Sequence, residues 1–273
     1  MPGTEDFTAA FDAAATDFSR LRPDLWEPVA HGTLAVSRPA SGERVLDACC
    51  GDGASAMPTA RAVGPDGHVD AVDLSTGLLS ILRERARGLP HLHTVQADAT
   101  TWGRPATYDL VQCVLGVFFF PDMEAGTRHL LSLARPGGRA ALTIWRRGAI
   151  EPVGSALAEV VGVPDPFKAD SDGETPLISR VNTVDAWGEW LTGLGLGDVT
   201  VHEAPHTLRL DDDLAWRLVV GSGYRGFVAD LDDAQREDVR VRYLAELQHR
   251  GLATVDATTL VGTGTVAAGE AAA

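Results

Sequence analysis

The residues best suited to chemistry sit at strand ends. Val45-Leu-Asp-Ala-Cys-Cys-Gly-Asp-Gly-Ala-Ser55 reads as a buried strand, an acidic tip, a glycine turn and a helix start. Gly51 and Gly53 carry no Cβ, so the backbone there can approach a ligand closely. The Asp47 carboxylate suits an ammonium group, directly or through water, and is poorly placed for a pyrophosphate. Val69-Asp-Ala-Val-Asp-Leu-Ser75 ends a second strand at Asp73, whose carboxylate can accept both hydroxyls of a ribose. Val95-Gln-Ala-Asp-Ala99 ends a third at Asp98, which can take an adenine amino group as donor. Three acids at successive strand tips predict one adenosine held among them.

The surrounding pattern supplies the elements. Residues 5–18 repeat Ala, Phe and Asp at helical spacing, and a second helix is expected from Asp24 to about Val36. Strands over 44–49, 68–73, 91–96, 108–115 and 139–145 alternate with helices over 54–63, 76–87 and 122–134. That alternation predicts a doubly wound, mostly parallel α/β sheet. Between Ile150 and Asn182 the pattern dissolves into Pro, Gly and Asp, which predicts an irregular lid. Later come a helix at 184–194, a strand at 199–210, helices near 211–220 and 232–250, and a last strand at 254–266. The expected division is an N-terminal helical cap (1–40), a nucleoside-binding core (41–149), a lid (150–182), the remainder of the fold (183–266) and a tail (267–273).

Composition narrows the partners. The chain has 273 residues, a formal net charge of -15 and an apolar fraction of 45%. Such an acidic protein repels phosphate backbones, which argues against a nucleic-acid partner. Lys168 is the single lysine. Cys49, Cys50 and Cys113 have neither disulfide nor zinc spacing, so no metal is expected. No apolar run reaches the roughly 20 residues needed to span a bilayer, and the N-terminus lacks a basic, apolar leader. The expectation is a cytoplasmic protein with no membrane partner, monomer or homodimer.

These motifs resemble the class I S-adenosylmethionine-dependent methyltransferases, most closely the branch with the ubiquinone and menaquinone methyltransferases and many natural-product tailoring enzymes. The resemblance runs from Arg44 to Trp145 and includes Val72-Asp-Leu-Ser, Gln96-Ala-Asp-Ala, Tyr108-Asp-Leu-Val, Phe120-Pro-Asp122 and Leu133-Ala-Arg-Pro-Gly-Gly138. It implies a Rossmann-like sheet of seven strands with one antiparallel. It implies S-adenosylmethionine as cofactor, with Gly51 and Gly53 along the methionine, Asp47 at its amino group, and Asp73 at the ribose. Leu74 would pack on the adenine, Asp98 and Ala99 would read its edge, and Cys113 would offer its backbone carbonyl. The family's glycine loop normally begins with Gly where Cys49 stands, and a thiol there would narrow the methionine pocket. The implied reaction is methyl transfer to a small-molecule acceptor at oxygen, nitrogen or carbon. The acceptor would meet Trp26, Phe118, Phe119, Trp145 and Arg146.

No base stands out. His31, His202 and Tyr224 are weak candidates, and His129 and His206 read as structural or solvated. Two alternatives stand beside this reading. Gly51-Asp-Gly-Ala-Ser-Ala56 also fits a short dinucleotide fingerprint, which would make the protein an NAD(P)-dependent oxidoreductase. The fold could also keep the cofactor without transferring its methyl.

Overall fold

The computed structural model describes residues 4–167 and 176–267. Lys168 and the tail from Ala268 lie outside the described residues. A sheet in the order β3-β2-β1-β4-β5-β9-β6 forms the centre. Its strands are β1 (Arg44–Ala48), β2 (His68–Asp73), β3 (Leu92–Gln96), β4 (Tyr108–Val114), β5 (Ala134–Trp145), β6 (Leu196–Ala204) and β9 (Thr259–Val266). Strands β3 through β5 run parallel, and β9 is antiparallel to both β5 and β6. This is the expected seven-stranded fold. Chain order reverses between β1 and β4, so their carboxyl ends part and leave a crevice there.

Helices cover both faces: α1 (Thr4–Leu21), α2 (Glu27–Ser37), α3 (Ala56–Val63), α4 (Thr76–Arg85), α5 (Met123–Leu133), α6 (Glu151–Val161), α7 (Leu177–Val181), α8 (Val184–Gly193), α9 (Asp212–Val220) and α10 (Asp233–His249). Val45 and Leu110 pack beneath α3 and α4 with Leu79 and Leu82. Leu46, Val111 and Leu142 face α5 and α8, where Trp187 is fully buried. Polar N-caps set the helix starts. Ser75 accepts from the Leu78 amide and Asp122 from the Ala125 amide, while Asp232 and Gln235 form a reciprocal capping box.

Four expectations need correction. The N-terminal helices are not separate, because α1 continues through a π-helical turn (Arg22–Trp26) into α2. Nor is α2 merely a cap: Thr33 bonds Thr143 of β5 across 2.7 Å, hydroxyl to hydroxyl. The segment after β5 is not irregular throughout, since α6 buries Val153, Ala156 and Leu157 against the late helices. Pro152 stands in its first turn, where a missing N–H costs nothing. Both late strands are broken. β7 (Thr207–Arg209) and β8 (Thr254–Asp256) leave the main sheet and pair with each other. Pro205 interrupts the first; in the second, the Asp256 carboxylate turns back to the Thr258 amide.

Candidate functional site

A cavity of about 660 Å³ opens at the carboxyl ends of β1, β2, β4 and β5, at the reversal of chain order. Its polar end is built around Asp73. One carboxylate oxygen accepts the Gly51 amide at 2.8 Å, and the other accepts the Ser75 amide at 2.9 Å. Each oxygen keeps a lone pair for a ligand hydroxyl. Burial pushes the Asp73 acid upward, opposed by those amides. Asp98 lines the same cavity, with one oxygen taken by the amide and hydroxyl of Thr100. Leu74 and Ala99 form the wall between them.

The glycine loop divides its work. Gly51 has φ +54°, lines the cavity and lies beneath Phe18, whose ring would meet a Cβ there at 3.2 Å. Gly53 is turned away. A Cβ on it would meet Leu82 at 2.3 Å, so its smallness serves the contact with α4. Asp52, between them, is fully buried and ties the loop to its roof: Ser19 and Arg22 bond its carboxylate, and Arg85 its carbonyl. Asp12 of α1 accepts from the Ser75 hydroxyl and the Gly77 amide. The roof is thereby fastened at both edges.

Several expected residues sit elsewhere. Asp47 is fully buried behind the loop and does not line the cavity; it receives the Ser55 hydroxyl at 2.7 Å, and Ser55 does line it. Burial pushes the Asp47 acid up to about 7. Two of the three carboxylates thus face the cavity, and the third acts from behind it. Cys113 is also fully buried and off the wall; Val114, Leu115 and Gly116 take its expected place at the strand tip. Cys49 lines the cavity at φ +55°. A glycine would hold that left-handed conformation at lower cost, which explains the family's glycine here. A hydrogen bond with Cys113 and burial push the Cys49 thiol upward.

The other end is aromatic. Of eight phenylalanines, seven line the cavity among the described residues, joined by Trp26, Trp145 and Tyr224. Phe18 stacks on Trp26 with centroids 4.8 Å apart, and Phe11 meets Phe119 edge-on at 5.4 Å. Phe118 and Arg146 lie on the same wall. Arg146 is held by Asp256. Phe11 and Phe18 were legible in the sequence only as two phenylalanines seven apart on one helix face. Asp52, Gln112, Leu115, Ile150 and Phe167 carried no local signal.

The base candidates separate plainly. His31 and His202 are exposed and do not line the cavity. His206 bonds the Asp24 carbonyl and His129 the Trp102 carbonyl, and neither reaches it. Tyr224 does line it, but its hydroxyl donates to the Ile150 carbonyl at 2.8 Å. Burial pushes that phenol upward, so it stays protonated.

Comparisons with known proteins identify the family. A family described as methyltransferase domain matches residues 45–138. The aklanonic acid methyltransferase DauC of Streptomyces sp. (strain C5) is 36% identical over 146 residues, 52% of this chain and 66% of that protein. The demethylmenaquinone methyltransferase of Clavibacter sepedonicus is 32% identical over 204 residues, 71% of this chain and 81% of that protein. Among the first curated relatives the matched share of their length runs from 49% to 66%. In fold, the chain is similar to the [4+2]-cyclase SpnF, with a TM-score of 0.67, 15% identity and 98% of each chain covered.

Proposed function

The chain belongs to the class I S-adenosylmethionine-dependent methyltransferases, and from that premise we propose that it methylates a small, flat, apolar acceptor lying in the aromatic half of the cavity. The residues suit the cofactor. The Gly51 cradle would be filled by a side chain, and Asp73 offers paired lone pairs at one end. In this reading Asp73 holds the ribose, Asp98 and Ala99 meet the adenine edge, Leu74 packs on its face, and Cys49 and Gly51 flank the methionine portion. S-adenosylmethionine, when bound, supplies a methyl group on a positively charged sulfur.

The chain's own contribution is alignment. Aromatic rings fix a planar acceptor with few rotatable bonds to freeze. Holding two reactants in line can lower a barrier by roughly 7–11 kcal/mol. The roof of α1, fastened through Asp12 and Asp52, keeps water from the reacting atoms. Among the described residues no histidine lines the cavity. Glu151 does line it, and its carboxylate already accepts the Gly148 amide; we assign no general base, and the acceptor's nucleophile would arrive ionised or intrinsically nucleophilic.

The relatives are named for small-molecule acceptors, aklanonic acid and demethylmenaquinone. That supports a small molecule here over a nucleic acid or protein. Among the described residues no helix is long and apolar enough to cross a membrane. Three free cysteines suit the reducing cytoplasm, where we place the enzyme. The dinucleotide alternative has lost its ground, since the family is one of methyltransferases.

The observation that carries the proposal is Asp73 bridging the Gly51 and Ser75 amides at the polar end of an aromatic cavity. Incubation with S-adenosylmethionine and a panel of quinones, phenols and aromatic acids tests it. Acceptor-dependent formation of S-adenosylhomocysteine is expected. Tight cofactor binding without turnover on any acceptor would leave the protein a non-transferring member of the family.

A further inference from the structure

Behind the glycine loop lies a small, completely buried polar cluster. Asp47 and Gln112 are register partners on adjacent parallel strands, so their side chains share one face. From α3, Ser55 and Thr59 close over them. The Ser55 hydroxyl donates to Asp47 Oδ2, and Gln112 Nε2 donates to Thr59 Oγ1 at 2.9 Å. Two oxygens remain without a partner, Asp47 Oδ1 and Gln112 Oε1. As register partners on one face, the two side chains stand side by side. Two acceptors cannot satisfy each other, and unpaired buried oxygens are costly.

Two arrangements remove the conflict, and they differ by one proton. In the first, Asp47 is a neutral acid that donates through Oδ1 to Gln112 Oε1, with Nε2 still on Thr59. In the second, Asp47 is a carboxylate. The Gln112 amide has then turned over, so that Nε2 donates to Asp47 Oδ1 and Oε1 accepts from the Thr59 hydroxyl. Every polar atom is paired in both. The surroundings choose between them. Asp73 on β2 and the Cys50 thiol of the loop are the titratable groups facing Asp47, while α3 and β4 bring only neutral ones. Burial and the Asp73 charge favour the neutral form in the free protein. Ser55 connects the cluster to the cavity, since it bonds Asp47 and lines the wall.

We propose that Gln112 is a positioning residue of the cofactor site: its amide turns over as the cofactor's ammonium group arrives, holding Asp47 as a carboxylate while one proton leaves to solvent. This rests on the cofactor reading above. The ammonium supplies the positive charge that the buried cluster lacks, and Gln112 supplies the hydrogen that the departing proton takes away. Gln112 and Thr59 touch no ligand. They act through Asp47 and Ser55.

Calorimetric titration of the full chain with S-adenosylhomocysteine tests this, in buffers of different ionisation enthalpy. At pH 6 binding should release close to one proton, and at pH 8.5 almost none. Affinity should rise about tenfold per pH unit below neutrality and then level off. Asp47→Asn should bind without this release. Gln112→Met should delay the levelling-off by about one pH unit or more and weaken binding at pH 7 about tenfold. Its KM for S-adenosylmethionine at pH 7 should rise by a larger factor than its kcat falls, a split that a general packing defect would not produce. Wild-type affinity that is flat from pH 5.5 to 8.5 overturns the proposal. So does proton release that persists in Asp47→Asn, which would belong to Asp73. A protein that binds no S-adenosylhomocysteine at any pH would instead contradict the cofactor reading.

Discussion

Replacing Asp47 by Asn should stabilise the free protein, and the gain should grow with pH. The Asp47 acid is pushed from an ordinary 3.8 to about 7, chiefly by burial. Below the ordinary value, folded and unfolded chains both hold the proton, and the site costs nothing. Between there and neutrality the unfolded chain gives the proton up while the folded chain keeps it, so stability falls as pH rises. Above neutrality the whole cost is present, about 4 kcal/mol at 1.36 kcal/mol per pH unit. At pH 5 only about 1.6 kcal/mol of it is felt by the same arithmetic. Asparagine keeps the shape, can accept from Ser55 and donate to Gln112, and never ionises. The variant's advantage over wild type should therefore widen by about 2–3 kcal/mol between pH 5 and 8. That corresponds to a widening of roughly 4–12 °C in melting temperature for a domain of this size. Scanning calorimetry of both proteins without cofactor reads it directly. Parallel melting curves across that range would show Asp47 to be an ordinary acid and defeat the reasoning.

Three further outcomes are expected. Asp73→Asn should weaken S-adenosylhomocysteine binding by roughly 1.5–3 kcal/mol, tenfold or more, because it removes a charged acceptor; calorimetry decides it, and an unchanged Kd would take Asp73 out of the site. His31→Ala and His202→Ala should each leave kcat within about twofold of wild type, since both lie on the surface away from the cavity; loss of turnover in a folded variant would contradict the absence of a histidine base. Gly53→Ala should cost roughly 1–3 kcal/mol in chemical denaturation, because its Cβ would strike Leu82 from a left-handed backbone; wild-type stability would mean that α4 yields.

The five parallel strands, the acid at each tip and the glycine turn were all legible, because each is a local pattern of a few consecutive residues. Asp73 and Asp98 could be assigned to a cavity wall on strand position alone. Asp47 misled for a physical reason. A residue near the end of a strand points to one face or the other, and the face of Asp47 lies under α3 rather than in the crevice. Gly53 misled in the same way, since sequence cannot tell a glycine that admits a ligand from one that admits a leucine. The lid was misread because Gly, Pro and Asp crowd its middle, while α6 at its start is an ordinary apolar helix. His31 and His202 were candidates by residue type, and only their packing removes them. Gln112 escaped notice because one polar residue in an apolar strand becomes meaningful only beside its neighbour.

The polar half of the cavity comes from one stretch of the chain, while the aromatic half draws Phe118, Phe119 and Phe120 from that same stretch and the rest of its rings from either side of it. Asp73, Asp98 and the glycine loop fall inside the 45–138 block shared with the wider family. Phe11, Phe18 and Trp26 precede that block, while Trp145, Phe167, Tyr224 and Phe227 follow it. Acceptor preference is therefore in large part a removable fitting. Transplanting the flanking stretches of a relative around an untouched nucleotide cradle should redirect the enzyme, whereas shuffling the cradle should alter only how firmly the methyl donor is gripped.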